Sequence, residues 1–328
     1  MNMKQTCLSF GSNPIRDAIS RIRFAPHSNH LLISSWDSSL RLYDVDACKL
    51  RLEASDEYPL LDCCFADDSL AFSAATDGLL RRYDLNSGDV DRIGNHDEAT
   101  CVEYSNETSL AITAGWDKKI KFWDTRLVKS LQCLENLGGE VESMSLSEFH
   151  LMIAVGTSVS TYDLRKLSKL DQAKESFMDV QIKCVRPGFE GFAVGSFDGR
   201  VALEYVNDSN SKSGRYAFRC HPKKKDGRHH IVPVNDIAFN PCLPTIFVTG
   251  DNEGYASTWD AQSKKRLYEL PRFPNAVASL SYSYDGLLLA VASSYTYQEA
   301  NEREELPQIF LHEINDLNIS SLSAGSSK

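Results

Sequence analysis

A histidine, a carboxylate and a hydroxyl close together in a chain are the raw material of proton-relay chemistry. His96, Asp97, Thr113 and Asp117, with Trp123 just beyond, supply that set here. The aspartate argues against catalysis. Asp37, Asp77, Asp117 and Asp198 hold the same place in four copies of one phrase. A scaffold device recurs in this way, whereas an active site occurs once. The set therefore reads as structural: the turn aspartate accepts from nearby backbone, and His96, Thr113 and Trp123 are joined by hydrogen bonds. G-x-S-x-G, H-E-x-x-H, a Walker loop and G-x-G-x-x-G are all missing. The expectation is a non-enzyme without a cofactor. Cys220, His221, His229 and His230 are metal-ligand types, but their spacing fits no standard zinc pattern, so no metal is expected. The nine cysteines contain no C-x-x-C pair and read as free thiols packed as small hydrophobes.

Three groups suit binding rather than reaction. Trp36 and Trp116 each stand directly before polar turn residues, where water is expected. Either each packs beneath a loop, or the two are aromatic anchors on a peptide-binding face. Arg200, Arg215, Arg219, Lys223, Lys224, Lys225 and Arg228 form a basic stretch in a chain of net charge −10. It reads as a solvated loop or as something more specific. Arginine in the alternating run "RYAFRC" is placed rather than loose, so Arg200 and Arg219 could make a fork for phosphate. The lysine run is a weak match to a nuclear localisation signal. The third group, the acidic turn Ser293 to Gln308, reads as a solvated loop on the face that carries the tryptophans.

The elements that must position these groups come from a repeat. "WDSSLRLYD" (Trp36 to Asp44) returns as "TDGLLRRYD", "WDKKIKFWD", "TSVSTYD", "FDGRVALEY" and "NEGYASTWD", at intervals near 40 residues. Before each copy lies an alternating phrase such as "ISRIRFAP" or "VNDIAFNP", then a doubly apolar run such as "LLISS" or "AITAG". Alternation marks half-buried strands, and short runs apolar throughout mark strands covered on both faces. Four strands per 40 residues are the signature of a WD-repeat β-propeller. The fold class is all-β: a seven-bladed WD-repeat β-propeller closed by an N-terminal strand, with Gln5 to Phe10 supplying the outer strand that the last repeat lacks. Residues 1–313 form this single domain, and 314–328 are a polar tail. The 328 residues, 42% hydrophobic, hold no run long enough for a membrane span and no signal peptide. Excess acid argues against direct nucleic-acid binding.

From Ile19 to Phe310 the chain closely resembles the WD-repeat spindle assembly (mitotic) checkpoint family, the third Bub protein. "SSWDSSLRLYDV", "GWDKKIKFWD", "GRVALEYV", "RYAFRCH" and "LAVASSYTY" carry the resemblance. It implies two ligands. One is a short acidic motif of the Bub-family checkpoint kinases, lying over Trp36 and Trp116. Lys183 stands where the family has the arginine that meets those acids; lysine keeps the charge and loses the planar fork. This departure is compatible with the main checkpoint copy or with a diverged paralogue. The other is a Met-Glu-Leu-Thr repeat of a kinetochore scaffold, phosphorylated on threonine and held by Arg200 and Arg219. The implied location is nucleus and cytoplasm, and kinetochores in mitosis. Two alternatives remain at this point: the sister propeller that escorts messenger RNA through nuclear pores, and the substrate receptor of a ubiquitin ligase.

Overall fold

The computed structural model describes residues 5–126, 129–167, 170–176, 178–188, 190–205, 216–220, 223–225, 228–296 and 305–314. Seven four-stranded antiparallel sheets follow one another around a central channel. Blade one is Ile19–Phe24, His30–Ser35, Ser39–Asp44 and Lys49–Ser55, running from channel to rim. Blades two to six repeat this order, beginning with inner strands Leu60–Asp67, Ala99–Ser105, Val141–Ser147, Ile182–Gly188 and Val234–Phe239. Blade seven has Val277–Tyr282, Leu288–Ser293 and Gln308–Glu313 from the end of the chain. Its outer strand is Gln5–Cys7, in register Gln5↔His312, Thr6↔Leu311 and Cys7↔Phe310. Leu8 N–H extends the pairing to Ile309 O at 2.8 Å. First and last residues of the ring thus share a sheet, which leaves no open gap between blades for another chain to join.

The doubly apolar runs are the second strands. Leu110–Gly115 and Ile246–Asp251 are buried at every position. Adjacent blades cover both faces, so no polar alternation is needed. Where blades seven and one meet, Ile22, Leu31 and Ile33 pack with Ala292, Ile309 and Leu311. Each of the leucine and isoleucine side chains contributes about 1.5–3 kcal/mol.

Every inner strand carries a β-bulge in the same place: Ile19/Arg21, Leu60/Asp62, Ala99/Cys101, Val141/Ser143, Ile182/Cys184, Val234/Asp236 and Val277/Ser279. A bulge re-aims the extra residue out of the ladder. The residues so displaced are Ser20, Leu61, Thr100, Glu142, Lys183, Asn235 and Ala278. The residue after each bulge can tie its blade to the next. Asp62 accepts from Val102 N–H (2.9 Å), Ser143 from Val185 N–H (3.2 Å), Asp236 from Leu280 N–H (2.9 Å) and Ser279 from Ile22 N–H (3.2 Å).

Asp236 also anchors a buried ion cluster inside the channel. Arg186 approaches it at 2.6 Å and Arg21 at 3.3 Å. Burial alone would raise this carboxyl. Arg186, Arg21 and the N–H groups of Leu280 and Ile237 outweigh it and hold Asp236 below the usual carboxylate range.

Outside the blades, a 3-10 turn follows Asp163, and the basic insertion forms a short hairpin, Lys223–Lys225 with Arg228–His230. Arg215 and His221 lie outside the described residues, as do 297–304 of the acidic turn. Ile314 is buried beside Leu280 and Phe310; the rest of the expected tail, 315–328, lies outside the description. The cysteines divide. Cys63, Cys64, Cys101, Cys184 and Cys220 are buried, and burial pushes the Cys63 and Cys101 thiols up to about 12. Cys7, Cys48, Cys133 and Cys242 are exposed, contrary to a uniformly packed set, because they fall on outer strands and turns.

Candidate peptide and phosphate interfaces

In blades one, two, three, five and six the residue after the second strand is held by a backbone bond beside its own inner strand. Trp36 N–H donates to Ala18 O (2.8 Å), Thr76 to Pro59 O (3.0 Å), Trp116 to Glu98 O (3.0 Å), Phe197 to Gln181 O (3.1 Å) and Asn252 to Pro233 O (3.2 Å). These side chains therefore ring the channel mouth on one face. At Trp116 the approach requires the preceding glycine: a Cβ on Gly115 would sit 1.9 Å from Glu98 O. Trp36 is 36% exposed and Trp116 52% exposed. Both side chains therefore keep part of their surface in solvent, Trp116 more than Trp36.

Both tryptophans line one cavity of about 270 Å³ at the mouth. All seven bulge residues, Lys183 among them, line it too. The Lys183 ammonium lies 4.9 Å from the Phe197 ring centre, a cation–π contact. Burial pulls its pKa below the ordinary lysine range, and the Glu142 carboxylate pushes the other way. Gln181 donates to Glu142 at 3.2 Å. Tyr295 and Thr296 line it as well; the Tyr295 hydroxyl is bonded to Asp17 at 2.9 Å, and Thr296 donates to Asn252 at 2.7 Å. The structure thus brings Trp36, Trp116 and Lys183 together. Sequence reasoning missed Glu142 and Asn235, placed Tyr295 and Thr296 on this face only as part of the turn Ser293 to Gln308, and gave Phe197 no role. One signal was available: the bulge residue is always the second residue of the inner-strand phrase.

The His96 set is a closed internal network. His96 and Thr113 are 0% exposed, so no substrate reaches them. Nδ1 of His96 lies 2.6 Å from Thr113 Oγ1, and Nε2 lies 3.1 Å from Asp117. Trp123 Nε1 donates to Thr113 at 2.9 Å. A ring protonated at Nε2 satisfies all three partners. Asp97 is exposed on the adjacent turn and stands apart from the network.

On blade five, the strands Arg200–Tyr205 and Tyr216–Arg219 pair with Arg200 directly opposite Arg219. Both guanidinium groups turn towards Asp198. Arg200 Nε is 2.7 Å from Asp198 Oδ2, and Arg219 Nη2 is 3.7 Å from the same oxygen. Arg200 Nη2 also donates to Met178 O at 2.9 Å. Ser196 Oγ holds the other carboxylate oxygen at 2.6 Å. Arg219 is the more exposed arm of the pair. Among the described residues no group of three or more His, Cys, Asp or Glu converges as a metal set, and no helix is long and apolar enough to cross a membrane.

The geometry defines the class: a seven-bladed WD-repeat propeller. The WD domain, G-beta repeat family matches residues 5–44 and 90–124. The solved structure titled "Structure of U3-55K" superposes with a TM-score of 0.78 over 94% of this chain and 98% of that one; at 13% identity it shows the fold alone. The chain is 50% identical to the mitotic checkpoint protein BUB3.3 of Arabidopsis thaliana, over 92% of its own length and 97% of that protein. It is 35% identical to the mitotic checkpoint protein bub3 of Dictyostelium discoideum, over 92% and 93%. The chain belongs to the Bub3 family of mitotic checkpoint WD-repeat proteins.

Proposed function

We propose that the chain is a non-catalytic adaptor of the spindle assembly checkpoint with two separate docking surfaces. The channel mouth holds a short acidic motif of a Bub-family checkpoint kinase, anchored by Trp36 and Trp116 and met by Lys183. The rim of blade five reads a phosphothreonine motif of a kinetochore scaffold through Arg200 and Arg219. It works in nucleus and cytoplasm and at kinetochores in mitosis. The carrying observation is the pair of exposed tryptophans flanking one cavity that also presents a lysine. Large aromatic side chains left uncovered beside a fixed charge suit a linear ligand with apolar and acidic residues. The relatives' names support the checkpoint setting. Calorimetry with a Met-Glu-Leu-Thr peptide, plain and phosphorylated on threonine, tests the rim. Hydrogen bonds to charged groups contribute about 1.5–3 kcal/mol each, so the phosphorylated form should bind at least about tenfold tighter. Equal affinities would remove the phosphate reader.

A further inference from the structure

The two arginines of blade five are not an empty fork, because both already face Asp198 Oδ2. We propose that Asp198 is a built-in competitor that sets how tightly this rim holds a phosphate, an inference that rests on the phosphothreonine reading above. Arg200 is held twice, by Asp198 at 2.7 Å and by Met178 O at 2.9 Å. Arg219 is held loosely, since 3.7 Å exceeds hydrogen-bonding distance. An incoming phosphate engages Arg219 first. It then shares Arg219 with the Asp198 carboxylate, and like charges on one guanidinium repel even through partly screening water.

The opposing effect is orientation. A carboxylate that aims two guanidinium groups also prepares them for an anion. Two contacts decide which effect wins. Met178 O holds Arg200 without help from Asp198. Ser196 fixes residue 198 through its other oxygen at 2.6 Å, a bond that an asparagine carbonyl can keep. Asp198→Asn therefore removes the charge; with its carbonyl kept on Ser196, its amide NH2 replaces the acceptor that faced Arg200 Nε, and Arg200 is left held by Met178 O. The charge term dominates, and the wild-type site is weaker than its two arginines allow. A weakened phosphate grip speeds dissociation of the phosphorylated partner itself.

The test is calorimetry of full-length wild type, Asp198→Asn and Asp198→Ser with the phosphorylated and plain Met-Glu-Leu-Thr peptides. Both variants should bind the phosphopeptide about tenfold tighter than wild type and the plain peptide equally well. The gain should shrink as salt is raised. A wild type that prefers the phosphopeptide, with folded variants that bind it no tighter, overturns the competitor alone. A wild type that binds both peptides alike overturns the phosphate reading and this inference with it.

Discussion

The channel mouth and the rim of blade five are built in opposite ways. At the mouth, backbone bonds and bulges set the chain positions from which the side chains project, and Arg21, Arg186 and Asp236 beneath are buried and paired. At the rim, two partly exposed arginines share one carboxylate at the end of a blade whose insertion leaves the repeat pattern. A site made from the repeat inherits the rigidity of the ring. A site added to the repeat depends on a few local ion pairs, each worth little when exposed. The mouth suits shape-based recognition of a constant motif, and the rim suits a contact that is switched on and off.

Asp236→Ala gives the largest expected effect. It strands Arg186 and Arg21 in the channel, and breaking such a buried pair costs about 3–5 kcal/mol. Chemical denaturation should show that loss; a change below about 1 kcal/mol would mean that the cluster does not brace the mouth. Next is the double substitution Trp36→Ala with Trp116→Ala. Truncating hot-spot aromatics costs about 2–4 kcal/mol, so the kinase-motif peptide should lose at least about thirtyfold in affinity. The phosphopeptide should bind as before. Loss of both ligands would collapse the distinction between the surfaces.

Acid should act on the ring itself. His312 is 1% exposed with neither ring nitrogen hydrogen-bonded, and burial pulls it down to about 4. The unfolded chain takes up its proton near pH 6.5, the folded chain only near 4. Its contribution is complete above about pH 6.5 and is lost as pH falls towards 4, up to about 3 kcal/mol. His312→Phe should flatten that slope in melts between those values. An unchanged slope would place the acid sensitivity elsewhere, with His96, also lowered by burial, the next residue to replace. The smallest expected effect is Lys183→Arg, which restores the planar fork. It should tighten the kinase motif by up to about tenfold; weaker binding would show that stacking on Phe197 matters more than donor geometry.

The fold was legible because strand alternation and turn aspartates repeat with a period near 40 residues, and both are local. Trp36 and Trp116 were legible because a large apolar residue before a polar turn contradicts its surroundings. The rest depended on register. Bulges bring Glu142 and Asn235 to the same cavity as Lys183, and only their shared place as second residue of the inner-strand phrase marks them in the sequence. Asp198 looked like one more turn aspartate. Its hold on Arg200 and Arg219 follows only once those two strands pair residue to residue.

Whether the two surfaces are separate is decided by titrating the kinase-motif peptide in the absence and in the presence of saturating phosphopeptide. The account predicts the same affinity in both titrations and a ternary complex of one copy of each. Mutual exclusion, seen as a competitive rise in the apparent Kd, would contradict it.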